Sequence, residues 1–146
     1  MRQWRCFKSS RKIITRIAMT SSPSSQAKKR IQKLLTQYVR LRDGGCVLKK
    51  FGACSGYTAA DHIFSRASNA TYADPLNLIC LCQRHHIYWK PQHPMEYADF
   101  VESRLGKNYK KLKWKSQTIL HMTEYDWLLT EKWLKKEIEK LENERK

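Results

Sequence analysis

Cysteine and histidine residues in the middle of the chain constrain its fold more than any other feature. The sequence has five cysteines, an odd number, and its first twenty residues lack the pattern of a secretory signal. A disulfide framework is therefore disfavoured. Cys46 and Cys54 form one pair, and Cys82 and His85 form a second pair with the spacing Cys-x2-His. Two such pairs of sulfur and nitrogen donors suit tetrahedral Zn²⁺, so the sequence predicts one structural zinc site.

Two alternatives to this ligand set stay open. The cysteines could be buried thiols that act as small apolar residues. Cys80, which lies two residues before Cys82, could replace it as a ligand, although a position in the core is favoured. Cys6 is expected to be a free thiol. The separation of Cys46 from Cys54 exceeds the usual spacing of about two to four residues.

The charge distribution predicts a polyanionic partner. Lys and Arg outnumber Asp and Glu by 29 to 13, a net charge of +16, and DNA is the expected partner of such a chain. Residues 1–45 hold twelve basic residues and one acidic residue, whereas residues 46–100 hold five and four. Hydrophobic residues make up 41% of the chain, which is enough to form a packed core. The nearly neutral middle is therefore the expected chemical centre.

Hydrophobic periodicity divides the chain into four regions. Residues 1–25 are predicted to be a basic, flexible leader and linker, and residues 26–45 a basic amphipathic helix that ends at Gly44-Gly45. Residues 46–92 form the predicted metal-binding core, with two short strands around a turn at 52–56, a polar loop, and a helix after Asn77. Residues 93–146 form a helical extension, with one helix opening at Pro94 and ending at Gly106 and another near Thr123. The predicted fold class is α+β.

A second group of polar residues predicts a catalytic centre. Asp61 and His62 are adjacent, Asn77 lies fifteen residues after His62, and His86 directly follows the predicted zinc pair. The Asp61 carboxylate and the His86 imidazole could bind a hard cation, Mg²⁺ or Mn²⁺, and His62 could deprotonate a water near neutral pH. Adjacent side chains of a strand point to opposite sides, so Asp61 and His62 converge only where the strand opens into a loop.

This ordered set, Asp-His…Asn…Cys-x2-His-His, resembles the HNH endonucleases, which share the ββα-metal fold. It lies in CVLKKFGACSGYTAADHIFSRASNATYADPLNLICLCQRHHIYWK, residues 46–90. The resemblance implies that His62 is the general base, that Asp61 and His86 bind the catalytic cation, and that Asn77 fixes the loop and orients the base. It also implies a small ββα-metal nuclease core with a zinc knuckle, flanked by a basic N-terminal helix and C-terminal helices.

Segments on both sides of the core resemble the lambdoid phage NinG (Rap) recombination endonucleases. They are YVRLRDGG, EYADFVESRLG and the long charged C-terminal helix. This resemblance implies a hydrolase that cuts branched DNA, such as Holliday junctions and D-loops, in the host cytoplasm. A homodimer through the C-terminal helix would suit paired cuts. No run approaches about 18 apolar residues, so no membrane segment is expected.

Basic residues around the core are the candidate DNA contacts, and each could instead be a solvated surface charge. They are Arg66, Arg84, Lys90, Lys110, Lys111 and Lys113. Tyr109 and Trp114 could stack on unpaired bases, although Trp114 is expected to pack in the core. Two other functions fit the same residues: a zinc-stabilised module that binds nucleic acid without cutting it, and an HNH nuclease that acts on ordinary duplex DNA.

Overall fold

The structure is a computed structural model that describes residues 23–146. Nearly all of the predicted leader, including Cys6, lies outside the described residues. Its last three residues were predicted to be a linker, but they open the first helix, α1 (Pro23–Asp43). Proline is favoured in the first turn of a helix, because the amide hydrogen it lacks has no partner there. Gly44 then ends α1 as predicted, with a positive φ of 68° and its N–H bonded to the Arg40 carbonyl oxygen.

Two antiparallel strands form the sheet, β1 (Thr58–His62) and β2 (Leu78–Cys82), with His62 opposite Leu78 and Thr58 opposite Cys82. The predicted pair of strands within residues 46–63 is therefore wrong, as is the helix predicted to start after Asn77. All five residues of β2 are buried. Such a short apolar run has no alternation that distinguishes a buried strand from a helix, which explains the error.

Four helices follow β2. The first, α2, consists of the π-helical turn His85–Trp89 and the α-helical turn Lys90–Gln92. The predicted helix from Pro94 to Gly106 is confirmed as α3 (Pro94–Leu105), and it is followed by α4 (Asn108–Ser116). Trp114 of α4 is 71% exposed, so its predicted burial is wrong. Within residues 23–146, no helix is both long enough and apolar enough to cross a membrane.

The last helix, α5 (Glu124–Asn143), packs against α1 and completes the core. A reciprocal capping box between Thr123 and Asp126 starts it as predicted. Buried residues of both helices contact Leu78 and Cys80 of β2, while Ile79 and Leu81 face a second cluster with Leu48. The small sheet thus lies between the α1–α5 pair and the segment 46–54, which carries Cys46 and Cys54. The architecture is α+β, with the sheet at its centre.

Candidate functional site

Four sulfur and nitrogen donors converge beside the sheet, as the spacing predicted. We call Cys46, Cys54, Cys82 and His85 the Cys/His cluster, and their ligand atoms all lie within 4.8 Å of one another. The His85 Nδ1 atom is 3.4 Å from Cys46 Sγ, 3.7 Å from Cys54 Sγ and 3.0 Å from Cys82 Sγ. Tetrahedral zinc with sulfur ligands requires donor separations of about 3.8 Å. The cluster could therefore hold a metal such as zinc.

The backbone explains how the widely spaced Cys46 and Cys54 meet. The N–H of Val47 donates to the Cys80 carbonyl oxygen at 2.9 Å, which fixes the start of the loop against β2. The end of the loop is fixed at Gly56, whose φ is +75° and where an added Cβ would lie 2.8 Å from Gln83 Cβ. Cys80 is fully buried in the α1–α5 core, as predicted, and is not one of the four converging residues.

The electrostatics of the Cys/His cluster favour a bound cation. Burial opposes ionisation of Cys82, but hydrogen bonds from the backbone of His85 and Ser55 and from the His85 ring lower its pKa to about 6. Desolvation and the nearby thiols of Cys82 and Cys46 raise the pKa of Cys54 to about 12. Ionisation of one thiol therefore opposes ionisation of its neighbours, and a cation bound among the thiolates would offset their mutual repulsion.

A second group of charged residues lies where β1 meets α2. The Asp61 side chain is 8% exposed, and its Oδ1 atom lies 3.2 Å from Nε2 of His86. Its Oδ2 atom accepts a 2.6 Å bond from the Lys90 ammonium. Burial raises the pKa of Tyr97, whose hydroxyl is enclosed nearby, and the Asp61 carboxylate raises it further. We call Asp61, His86 and Lys90 the Asp61 group.

His62 is held by the loop that follows β1. Its Nε2 atom lies 2.8 Å from the carbonyl oxygen of Tyr72, and the two rings are 5.0 Å apart between centroids. Since a carbonyl oxygen can only accept, Nε2 carries the hydrogen and Nδ1 keeps its lone pair. The Nδ1 atom is buried without a hydrogen-bond partner among residues 23–146. Burial lowers the pKa of His62, as does the Arg66 guanidinium, so the imidazole is neutral near pH 7.

Asn77 shapes the loop between the strands. Its Oδ1 atom accepts a 2.7 Å bond from the Phe64 N–H, and its Nδ2 atom donates to the Thr71 carbonyl oxygen at 2.9 Å. The Asn77 side chain is fully buried, so the start and the middle of the loop depend on an amide that can accept and donate at once. Through this loop, Asn77 sets the position of the Tyr72 carbonyl oxygen that holds His62.

The other predicted site residues are less closely grouped. Asp61 and His62 both lie within β1, so the strand does not open there as their predicted convergence requires: Asp61 contacts α2 whereas His62 contacts the loop. Lys90 binds Asp61 itself, and Arg66 lies near enough to His62 to affect its pKa. The remaining predicted DNA contacts are exposed on α4 or just after β2: Arg84, Lys110, Lys111 and Lys113. Tyr97 and Tyr72 were not predicted as site residues, because their approach to Asp61 and His62 depends on tertiary packing.

Comparison with models of protein families, with curated proteins and with solved structures finds no match for this chain.

Proposed function

We propose that this chain is a metal-dependent DNA endonuclease of the HNH type, with residues 46–92 as its ββα-metal nuclease core. The main support for the proposal is the hydrogen bonding and burial of His62. Its Nε2–H donates to the Tyr72 carbonyl oxygen, its Nδ1 lone pair is unpartnered within the described residues, and burial lowers the pKa of the ring. A general base needs a fixed ring with a free lone pair, and a pKa near or below the working pH.

The Asp61 group fits a hard divalent cation. Asp61 offers a buried carboxylate that already attracts one cation, the Lys90 ammonium, and His86 adds an imidazole nitrogen that is half exposed. Asp61 and His86 would hold Mg²⁺ or Mn²⁺, with Lys90 released toward the substrate. When bound, the cation supplies charge neutralisation for the phosphate and the leaving 3′ oxygen. His62 would accept the proton of the attacking water at Nδ1, while Asn77 holds the loop that orients it.

The exposed residues of α4 support DNA as the substrate. Lys110, Lys111 and Lys113 are all exposed on this helix and could contact phosphates beyond the cut. Trp114 on the same helix presents a large exposed ring, which could stack on an unpaired base at a junction. Tyr109 instead packs against Phe64, with ring centroids 5.9 Å apart. Trp114 is therefore the residue we assign to branched DNA rather than ordinary duplex.

Asp61→Asn is the variant that tests the cation site. We expect it to abolish Mn²⁺ binding in titration calorimetry and to lower the cleavage rate at least about 10²-fold, because an amide lacks the charge that a hard cation requires. His86→Ala should weaken Mn²⁺ binding with a smaller effect on the fold, since its ring is half exposed. The matched control is Asp99→Asn, which makes the same change to an exposed carboxylate on α3. Mn²⁺ binding by Asp61→Asn equal to that of the wild type would contradict the assignment.

The alternative is a zinc-stabilised module that binds nucleic acid without cutting it. The Asp61–Lys90 ion pair favours it, because both carboxylate oxygens have partners within the chain. The Cys/His cluster and the basic surface would then suffice for function. The alternative predicts that Asp61→Asn and Lys90→Met leave DNA binding unchanged and that no divalent cation produces cleavage.

A further inference from the structure

A basic groove lies between α1 and the loop that follows β1, apart from the Cys/His cluster and the Asp61 group. Its volume is about 900 Å³. Its lining includes Lys28, Lys29, Gln32 and Lys33 from α1 and Arg66 and Tyr72 from the loop. Among the described residues, no carboxylate lines it. We call it the basic groove.

The four cations of the basic groove have no acidic partners in the described part of the chain, where the ion pairs join other residues. Other basic residues of α1 differ: Arg30 pairs with Glu124 and Glu131, and Arg42 pairs with Asp43. Lys28 is partly buried over the Tyr72 ring, 4.9 Å from its centroid. Burial lowers the pKa of Lys28, and the Arg66 guanidinium lowers it further. Such crowding of unpaired cations is relieved by a bound anion.

The basic groove adjoins the residue that holds His62. Tyr72 lines the groove, binds α1 through its hydroxyl, and holds His62 through its backbone carbonyl oxygen. Arg66 lies at the same end, where its guanidinium donates to Gln32 at 3.5 Å. The groove is open along α1, where Lys29 and Lys33 are exposed one helical turn apart. A phosphate backbone that follows the two lysines therefore reaches Arg66 and the loop at Tyr72, whose carbonyl oxygen holds His62.

We propose that the basic groove binds the phosphate backbone of one DNA strand and guides it to His62. The direction toward a cutting residue rests on the proposed function, whereas binding in the groove does not require cleavage. The charges are fixed on a helix and on a loop held by Asn77, so the contacts are preorganised. The described lining offers no exposed aromatic ring, because Tyr72 is buried, and this indicates recognition of the backbone rather than of bases.

The test is DNA binding by a triple variant, Lys29→Gln, Lys33→Gln and Arg66→Gln, measured by fluorescence anisotropy without added Mg²⁺ or Mn²⁺. All three side chains are exposed, so the fold should persist, and circular dichroism checks it. Lys28 is left in place because its ammonium packs over Tyr72 and Trp127. The control with the same charge change is Lys132→Gln, Lys136→Gln and Lys140→Gln, all exposed on α5.

We expect the groove variant to bind a labelled duplex and a labelled four-way junction at least about tenfold more weakly than the α5 control. Its slope of log affinity against log salt concentration should fall by roughly two to three. Equal DNA affinities and equal salt slopes for the two variants would contradict DNA binding in the groove. If unlabelled RNA displaces the labelled DNA more effectively than unlabelled DNA does, the assignment of DNA to the groove would be wrong. Weakened binding by the groove variant, together with a wild-type protein that cuts DNA with neither Mg²⁺ nor Mn²⁺, would support the groove and reject the nuclease.

Discussion

His62→Ala is expected to slow DNA cleavage by about 10²–10⁴-fold while DNA affinity stays the same. Burial lowers the pKa of the imidazole, and its Nδ1 atom has no partner among residues 23–146, so removing the ring eliminates the proposed proton acceptor. The His62 ring does not line the basic groove, and its loss leaves the four groove cations in place. Single-turnover cleavage at saturating protein separates the chemical step from binding, and anisotropy without divalent cations measures affinity.

Two further variants make the result specific. His62→Ala removes the donor to the Tyr72 carbonyl oxygen and should cost about 1–3 kcal/mol of stability. His62→Gln keeps an N–H that can reach that oxygen but cannot act as a base, so it should be well folded and inactive. His121→Ala changes an exposed histidine and should cleave like the wild type. Undiminished cleavage by folded His62→Gln would reject the assignment of the base.

Removal of metal from the Cys/His cluster is expected to unfold the region around the sheet. Zinc binding to small zinc-finger peptides contributes about 10–16 kcal/mol at pH 7, which is as large as the whole stability of a typical domain, about 5–15 kcal/mol. Cys46 and His85 are buried, and Cys82 ends β2. Without a metal, their thiols and ring would remain as poorly satisfied polar groups beside the core. Elemental analysis should find one zinc per chain, and a chelator should abolish the cooperative thermal transition.

Two cysteine variants give a matched comparison. Cys82→Ser should lose zinc and most of the thermal stability, whereas Cys80→Ala should lose some stability but keep one zinc per chain. Cys80 lies on the same strand and is equally buried, yet it packs in the α1–α5 core rather than in the Cys/His cluster. A protein with no bound zinc, alkylated readily at Cys46 and Cys82, would contradict the metal site.

The ends of α3 and α5 were predictable from local signals, whereas α4 and the strand pairing were not predicted. Pro94, Gly106 and the capping box at Thr123 mark helix ends through groups within one turn of each residue. The partner of β1 depends instead on contacts across a fifteen-residue loop. The sequence LICLC is buried on both faces and carries no alternation that identifies a strand. The register of His62 opposite Leu78 therefore emerges only from tertiary packing.

The candidate site was likewise predictable only in part. The convergence of the Cys/His cluster followed from the pairing of donor residues, whose chemistry has few alternatives in a chain without a disulfide pattern. The ion pair between Asp61 and Lys90 could not be predicted, because it requires the orientation of α2 against β1. The basic groove was missed for the same reason. Lys28 and Arg66 lie far apart in the chain, and only the packing of the loop on α1 brings them together.

Cleavage by the wild-type protein is the decisive measurement for the proposed nuclease. Labelled duplex, single-stranded and four-way-junction DNA would be incubated with zinc-loaded protein, with and without Mg²⁺ or Mn²⁺, beside His62→Gln as the inactive control. We expect cutting that requires the divalent cation, is fastest on the junction and is lost in His62→Gln. A folded, zinc-loaded wild-type protein that binds these DNAs but cuts none of them with either cation would contradict the nuclease and support the binding module.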